Sequence, residues 1–109
     1  MITSQTRVAG VIGSPVRHSL SPAIHNAAFG HLQLDWVYTA FEVQPASAAA
    51  VVEAVRTLGL AGLNVTMPHK EVVAGAADRL TPVAEALGAV NCLFWDGADL
   101  VGDNTDGEG

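Results

Sequence analysis

Lysine is almost missing from this chain of 109 residues: four of its five basic residues are arginine, and Lys70 stands alone. Charge of either sign is sparse, at 15% of residues, and eleven acidic residues leave a net charge of −6. A surface built for nucleic acid or an anionic membrane carries the opposite sign, so the composition argues against both partners. Cysteine is limited to Cys92, which removes any intrachain disulfide and fits a reducing, cytoplasmic location. No apolar run approaches the roughly 18 residues that span a bilayer. The N-terminal "MITSQTRVAGVIG" has neither the apolar core nor the cleavage-like site of a signal peptide. Without a secretory route, the sequon Asn64-Val65-Thr66 is expected to carry no sugar.

What is present is a folded domain. Half the residues are apolar, and the length suits one compact core. "RVAGVIG" (7–13), "WVYTAFEV" (36–43), "AGLNVT" (61–66), "AVNCLFW" (89–95) and "DLVGD" (99–103) read as strands, the last two joined by the turn Asp96-Gly97-Ala98. Helices are expected after Ser21-Pro22 through "AIHNAAFGHL", over 47–59 with Ser47 as cap and Gly59 as stop, from Pro68 through "HKEVVAGAA", and after Thr81-Pro82 through "VAEALG". Ser21 and Thr81 are each read as a side-chain cap followed by proline at the first helical position. The alternation implies an α/β fold: a three-layer αβα domain with a mostly parallel sheet. The chain stops in "GDNTDGEG", a loop with a helix start and nothing after it, so a fragment of a longer protein is expected.

In open α/β sheets, ligands sit beyond the carboxyl ends of the strands. Polar residues gather at those ends here. The first strand runs into Ser14, His18, Ser19 and Ser21, the third carries Asn64 and Thr66 toward Lys70, and the last runs into Asp103, Asn104, Thr105 and Asp106. "GAVN" puts Asn91 early in its strand, where a buried amide needs a partner. If these loops share one edge, their hydroxyls, amides, ammonium and carboxylate suit a small polyhydroxylated acid, with Lys70 and Asp106 able to manage a proton. Each also has a plainer reading: Asp103 and Asp106 as loop or cap residues, Asn64 as a backbone partner, Lys70 as a solvated first-turn lysine, Cys92 as a small core residue.

Several sharper motifs fail. "GDNTDGEG" has phosphate-loop glycine spacing, but Glu108 stands where lysine is required and two aspartates would repel phosphate. It does not place oxygen ligands at EF-hand positions. His18, His25, His31 and His69 lack metal-site spacing, so no metal is expected. "GVIGSP" lacks the third glycine of a dinucleotide fingerprint.

"GVIGSPVRHSLSPAIHNAAF", "GLNVTMPHKE", "GAVN" and "GDNTDG", in this order and spacing, resemble the N-terminal substrate-binding domain of the shikimate dehydrogenase family across essentially all 109 residues. The resemblance implies an NADP-dependent oxidoreductase that interconverts 3-dehydroshikimate and shikimate on the route to chorismate and the aromatic amino acids. It also implies roles. Ser19 and Ser21 would hold the substrate carboxylate, Asn64 and Thr66 would line the ring, and Asn91 would bind ring hydroxyls. Lys70 would be the catalytic lysine with Asp106 as its acid–base partner; which of the two donates the proton is not legible. Family members continue into a Rossmann domain that binds NADP and returns a helix to the first domain. That half is absent from this chain, so the fragment alone is expected to be inactive. It would expose apolar surface that association, for instance as a homodimer, could cover. Two alternatives stay open: an isolated shikimate-binding module without activity, and a quinate/shikimate dehydrogenase paralogue. The serine pair leans toward shikimate, because some quinate-using relatives carry threonine at the second position.

Overall fold

The computed structural model describes residues 1–106. Six strands form one sheet: β1 (Arg7–Gly13), β2 (Trp36–Glu42), β3 (Gly62–Val65), β4 (Arg79–Leu80), β5 (Cys92–Asp96) and β6 (Asp99–Asp103), in the spatial order β2-β1-β3-β5-β6-β4. The pairs β1–β2, β1–β3 and β4–β6 are parallel, whereas β5 runs antiparallel to both β3 and β6. That single reversal matters for everything at the rim. The carboxyl ends of β1, β3 and β6 lie on one edge, and the reversed β5 brings its beginning there too.

Among the described residues four α-helices cover the sheet: α1 (Ser21–His31), α2 (Val51–Leu58), α3 (Lys70–Ala76) and α4 (Pro82–Leu87). Alternation along β1 divides the core. Ile12 faces the larger cluster, built with Val52 and Val55 of α2, Val73 of α3 and Ala84 of α4. Ala9 and Val11 face the other side, with Tyr38, Val16 and the half-buried Phe29 of α1. The result is three layers, with α1 on one face and the other helices opposite.

The sheet holds one strand that sequence patterning misses. β4 has only two residues, too few to show alternation, and it exists because Arg79 and Leu80 pair with Val101 and Gly102 of β6. The β5–β6 hairpin closes through Gly97 and Ala98, with Gly97 at φ 62°, the conformation glycine reaches without a Cβ clash.

Local boundaries differ from expectation at four places. Ser21 does not cap α1: Leu20 occupies the N-cap, and the Ser21 amide donates to Ser19 Oγ at 3.1 Å, so the capping hydroxyl sits two residues earlier. Ser47 does not cap α2, because Pro45 opens a 3₁₀ helix over Pro45–Ala50 and α2 starts only at Val51. Pro68 does not open α3, since Thr66–His69 forms a tight turn (His69 N–H to Thr66 O, 3.1 Å) and the helix begins at Lys70. Residues 89–91 are not ladder residues; their hydrogen bonds serve the rim instead, as described below. Thr81 does cap α4, accepting from the Ala84 amide, and Gly59 ends α2 in the left-handed region at φ 65°.

Candidate active site

At the shared strand edge lies a cleft of about 510 Å³. Ser19, Ser21, Asn64, Thr66, Lys70, Asn91 and Asp106 all line it, with His18 and the apolar Val11, Pro15, Val16 and Val65 completing the wall. Ser19 and Asp106, 87 positions apart in sequence, line one cleft because β1, β3 and β6 end, and β5 begins, at the same rim.

Lys70 stands at the start of α3, its Nζ donating to Asp106 Oδ2 at 2.6 Å. The ammonium has three donors, and among the described residues only Asp106 receives one, which leaves two for a ligand. The Lys70 hydrogen bond and charge hold the Asp106 carboxyl below its ordinary value of 3.8, and Asn91 adds to the effect. Asp106 is therefore an acceptor at neutral pH.

The backbone on either side fixes this pair. The Val90 amide donates to Lys70 O at 2.9 Å, and Asn91 lies between the Val65 amide and Asp103 O, bonded to both. Asn91's side chain answers the question its apolar surroundings posed: Nδ2 donates to Thr105 Oγ1 at 2.8 Å and Oδ1 accepts from the Thr105 amide at 3.1 Å. Asn104 is buried, donating to Ala89 O and accepting the Asp106 amide at 2.8 Å through Oδ1. Asp103 takes the plainer role open to it, accepting from Thr81 Oγ1 and from the Asn104 amide. The helix start expected within "GDNTDGEG" extends onto residues 107–109, outside the described residues.

On the opposite wall, Ser19 Oγ accepts from the Ser21 amide, so its own O–H is free to donate elsewhere. Asn64 projects from β3, and its Oδ1 accepts a hydrogen bond from Tyr38 Oη at 2.6 Å. Burial pushes the Tyr38 phenol up to about 12, the Ser21 hydroxyl offsetting part of that and Cys92 adding to it. The tyrosine thus stays a donor, and the NH₂ remains the donor end of the Asn64 side chain. His25 stacks on Tyr38 with ring centroids 4.1 Å apart. Tyr38 and the buried His69, whose Nε2 donates to Val43 O at 2.6 Å, escaped the sequence reading. One signal pointed to Tyr38: a phenol inside an apolar strand needs a partner as much as Asn91 does.

A profile of the shikimate dehydrogenase substrate binding domain matches residues 11–93. The chain belongs to that family. It is 54% identical to the NADP(+) shikimate dehydrogenase of Geobacter metallireducens over 108 residues, covering 99% of this chain and 38% of the relative. The crystal structure of shikimate 5-dehydrogenase from Listeria monocytogenes, in complex with shikimate and NAD, superposes with a TM-score of 0.92 at 47% identity over 98% of this chain and 37% of that one. The ligand-free 5-ketofructose reductase of Gluconobacter sp. strain CHM43 gives a TM-score of 0.90 at 28% identity, over 97% of this chain and 38% of that one. The domain thus spans somewhat over a third of the length of the proteins it matches.

The turn after β1 does not form the phosphate cradle of a dinucleotide-binding turn. Gly13, the strand-end glycine, is buried against Thr66 and Met67, so no cradle opens there for a pyrophosphate. The chain then travels through a loop to α1 instead of turning directly into a helix. Among the described residues no three His, Cys, Asp or Glu side chains gather to hold a metal ion, and no helix is long and apolar enough to cross a membrane.

Proposed function

We propose that this domain binds shikimate and 3-dehydroshikimate, and that it supplies Lys70 and Asp106 to their NADP-dependent interconversion by a longer shikimate dehydrogenase. The observation that carries the reading is the Lys70–Asp106 pair at 2.6 Å inside a cleft shared with Ser19, Ser21, Asn64, Thr66 and Asn91. On this reading the hydride chemistry belongs to NADP(H) held by a separate Rossmann domain, and this domain's work is on the substrate. Ser19 and Ser21 donate hydroxyls to the carboxylate, and the Asn64 and Asn91 amides with Thr66 meet the ring oxygens. Lys70 directs its remaining N–H donors at the oxygen that alternates between carbonyl and alcohol. Negative charge developing there is stabilised by the ammonium, and one proton passes between that oxygen and the Lys70–Asp106 pair. Asp106, already ionised, keeps the ammonium from rotating away.

The test uses the full-length polypeptide, with absorbance of the reduced cofactor as readout. Shikimate should be oxidised with NADP, and Lys70→Ala should lower kcat by roughly two to four orders of magnitude with a modest change in KM. Near-normal turnover in that variant removes Lys70 from the chemistry. The 109-residue chain by itself should bind shikimate weakly in calorimetry and turn over nothing.

The 5-ketofructose reductase neighbour supports a second reading, in which the same scaffold acts on another polyhydroxylated ketone or alcohol. A substrate panel of shikimate, quinate and keto sugars decides: kcat/KM highest for quinate or a keto sugar replaces the first reading.

A further inference from the structure

Both walls of the cleft converge on two consecutive residues at the end of β2, neither of which lines it. Glu42 Oε1 accepts from the Val16 amide at 3.1 Å. Val16 O in turn accepts from the Ser19 amide at 3.0 Å, and Ser19 Oγ accepts from the Ser21 amide at 3.1 Å. Three hydrogen bonds in series therefore connect one carboxylate to the Ser19 hydroxyl and, through it, to the Ser21 amide. The next residue, Val43, accepts from buried His69 Nε2, and His69 immediately precedes Lys70. The Val43 amide also donates to Gly13 O, and the Ser14 amide to Met67 O, so the serine loop and the lysine turn are stitched to each other as well as to β2.

The geometry points to Glu42 as a positioning residue that sets the serine loop, and with it the substrate's carboxylate, at the right distance from Lys70. Val16 is buried with its side chain fixed in the core, so the loop is pinned at this residue from both sides. The Ser14 hydroxyl and the Val16 amide hold the Glu42 carboxyl below its ordinary 4.5, with Arg17 and His69 adding smaller effects, which keeps it an acceptor wherever the other groups work. The inference rests on the proposed shikimate reading, since it assigns the serine hydroxyls to a carboxylate.

Steady-state kinetics in the full-length polypeptide test it. Glu42→Asp shortens the side chain by one methylene and withdraws it from the Val16 amide while keeping the charge. The expected result is a KM for shikimate raised roughly tenfold with kcat within about twofold. Glu42→Gln retains an oxygen for the Val16 amide and should restore a KM near that of the unaltered protein. A merely structural glutamate would lower the thermal midpoint and the active fraction, moving apparent kcat and leaving KM alone. An unchanged KM in Glu42→Asp, or equal losses in kcat for both variants, overturns the inference. Failure of the function reading looks different: the unaltered protein would not turn over shikimate, or Lys70→Ala would retain its kcat.

Discussion

Lys70 and Arg56 each form an ion pair with an aspartate distant in sequence, yet the two pairs are built for different ends. Arg56 on α2 reaches both Glu53 and Asp78, and Asp78 uses its second oxygen to accept the Leu100 amide at 2.7 Å. The guanidinium's fork is engaged on two sides, and the pair ties α2 to β6. Asp78 and Arg56 hold each other in their charged forms, the carboxyl pushed down and the guanidinium pushed up, each chiefly by their mutual hydrogen bond. Arg79 is used similarly, between Asp96 and Asp99 across the β5–β6 turn. Lys70 has one protein partner among the described residues and faces a cleft with donors to spare. A cation spanned between two carboxylates is a tie; one with a single partner, set in a concavity, is available to a ligand. Arginine suits the first use, because its planar fork matches carboxylates and stays charged. A compact ammonium that can exchange a proton suits the second.

That contrast can be broken by experiment. The largest effect beyond Lys70 itself is expected from Asp106→Asn, which removes the charge and keeps one acceptor: kcat should fall about tenfold to a hundredfold, while the melting temperature stays nearly constant because the pair is partly exposed. A melting shift as large as that of a core substitution would make Asp106 a structural tie instead. Arg56→Ala should do the reverse, lowering the thermal midpoint by a few degrees at most and leaving kcat and KM for shikimate unchanged. A change in KM would show that the arginine pair reaches the cleft.

The smallest effect concerns acid. Asp78 and Asp106 both have folded-state pKa values below the ordinary 3.8, so each contributes stability that is complete above that value and is lost as pH falls through the lower, folded one. The difference in thermal midpoint between the unaltered protein and Arg56→Ala should therefore be constant near neutrality and shrink below about pH 4. A difference that grows on acidification would reverse the sign and contradict the pairing.

Much of this architecture is legible without coordinates. The five longer strands and the positions of all four helices follow from β-branched runs, proline-led starts and glycine stops. So does the gathering of polar residues at strand ends. The misses share a cause, which is competition between local signals. Ser21-Pro22 looks like a cap because serine before proline is one, yet Ser19 reaches the first-turn amide first. Ser47 loses to Pro45, whose fixed φ starts a 3₁₀ turn two residues earlier. Residues 89–91 look like strand because apolar Ala89 and Val90 lead into the run of β5, but the amides and carbonyls of this stretch are drawn to Lys70, Val65, Asp103 and Asn104.

The sequence alone set the residue chemistry available to the domain: a single lysine, few charges to compete with it, and hydroxyls and amides placed just past the strands. Long-range packing decided that β5 runs backwards, which carries Asn91 to the same rim as Lys70, and that Asn64 Oδ1 is taken by the Tyr38 hydroxyl. It also decided that Glu42, silent in any motif, fastens the serine loop. The physical reason is that strand direction and hydrogen-bond partnership depend on contacts between residues far apart in the chain, and local propensity carries no information about those.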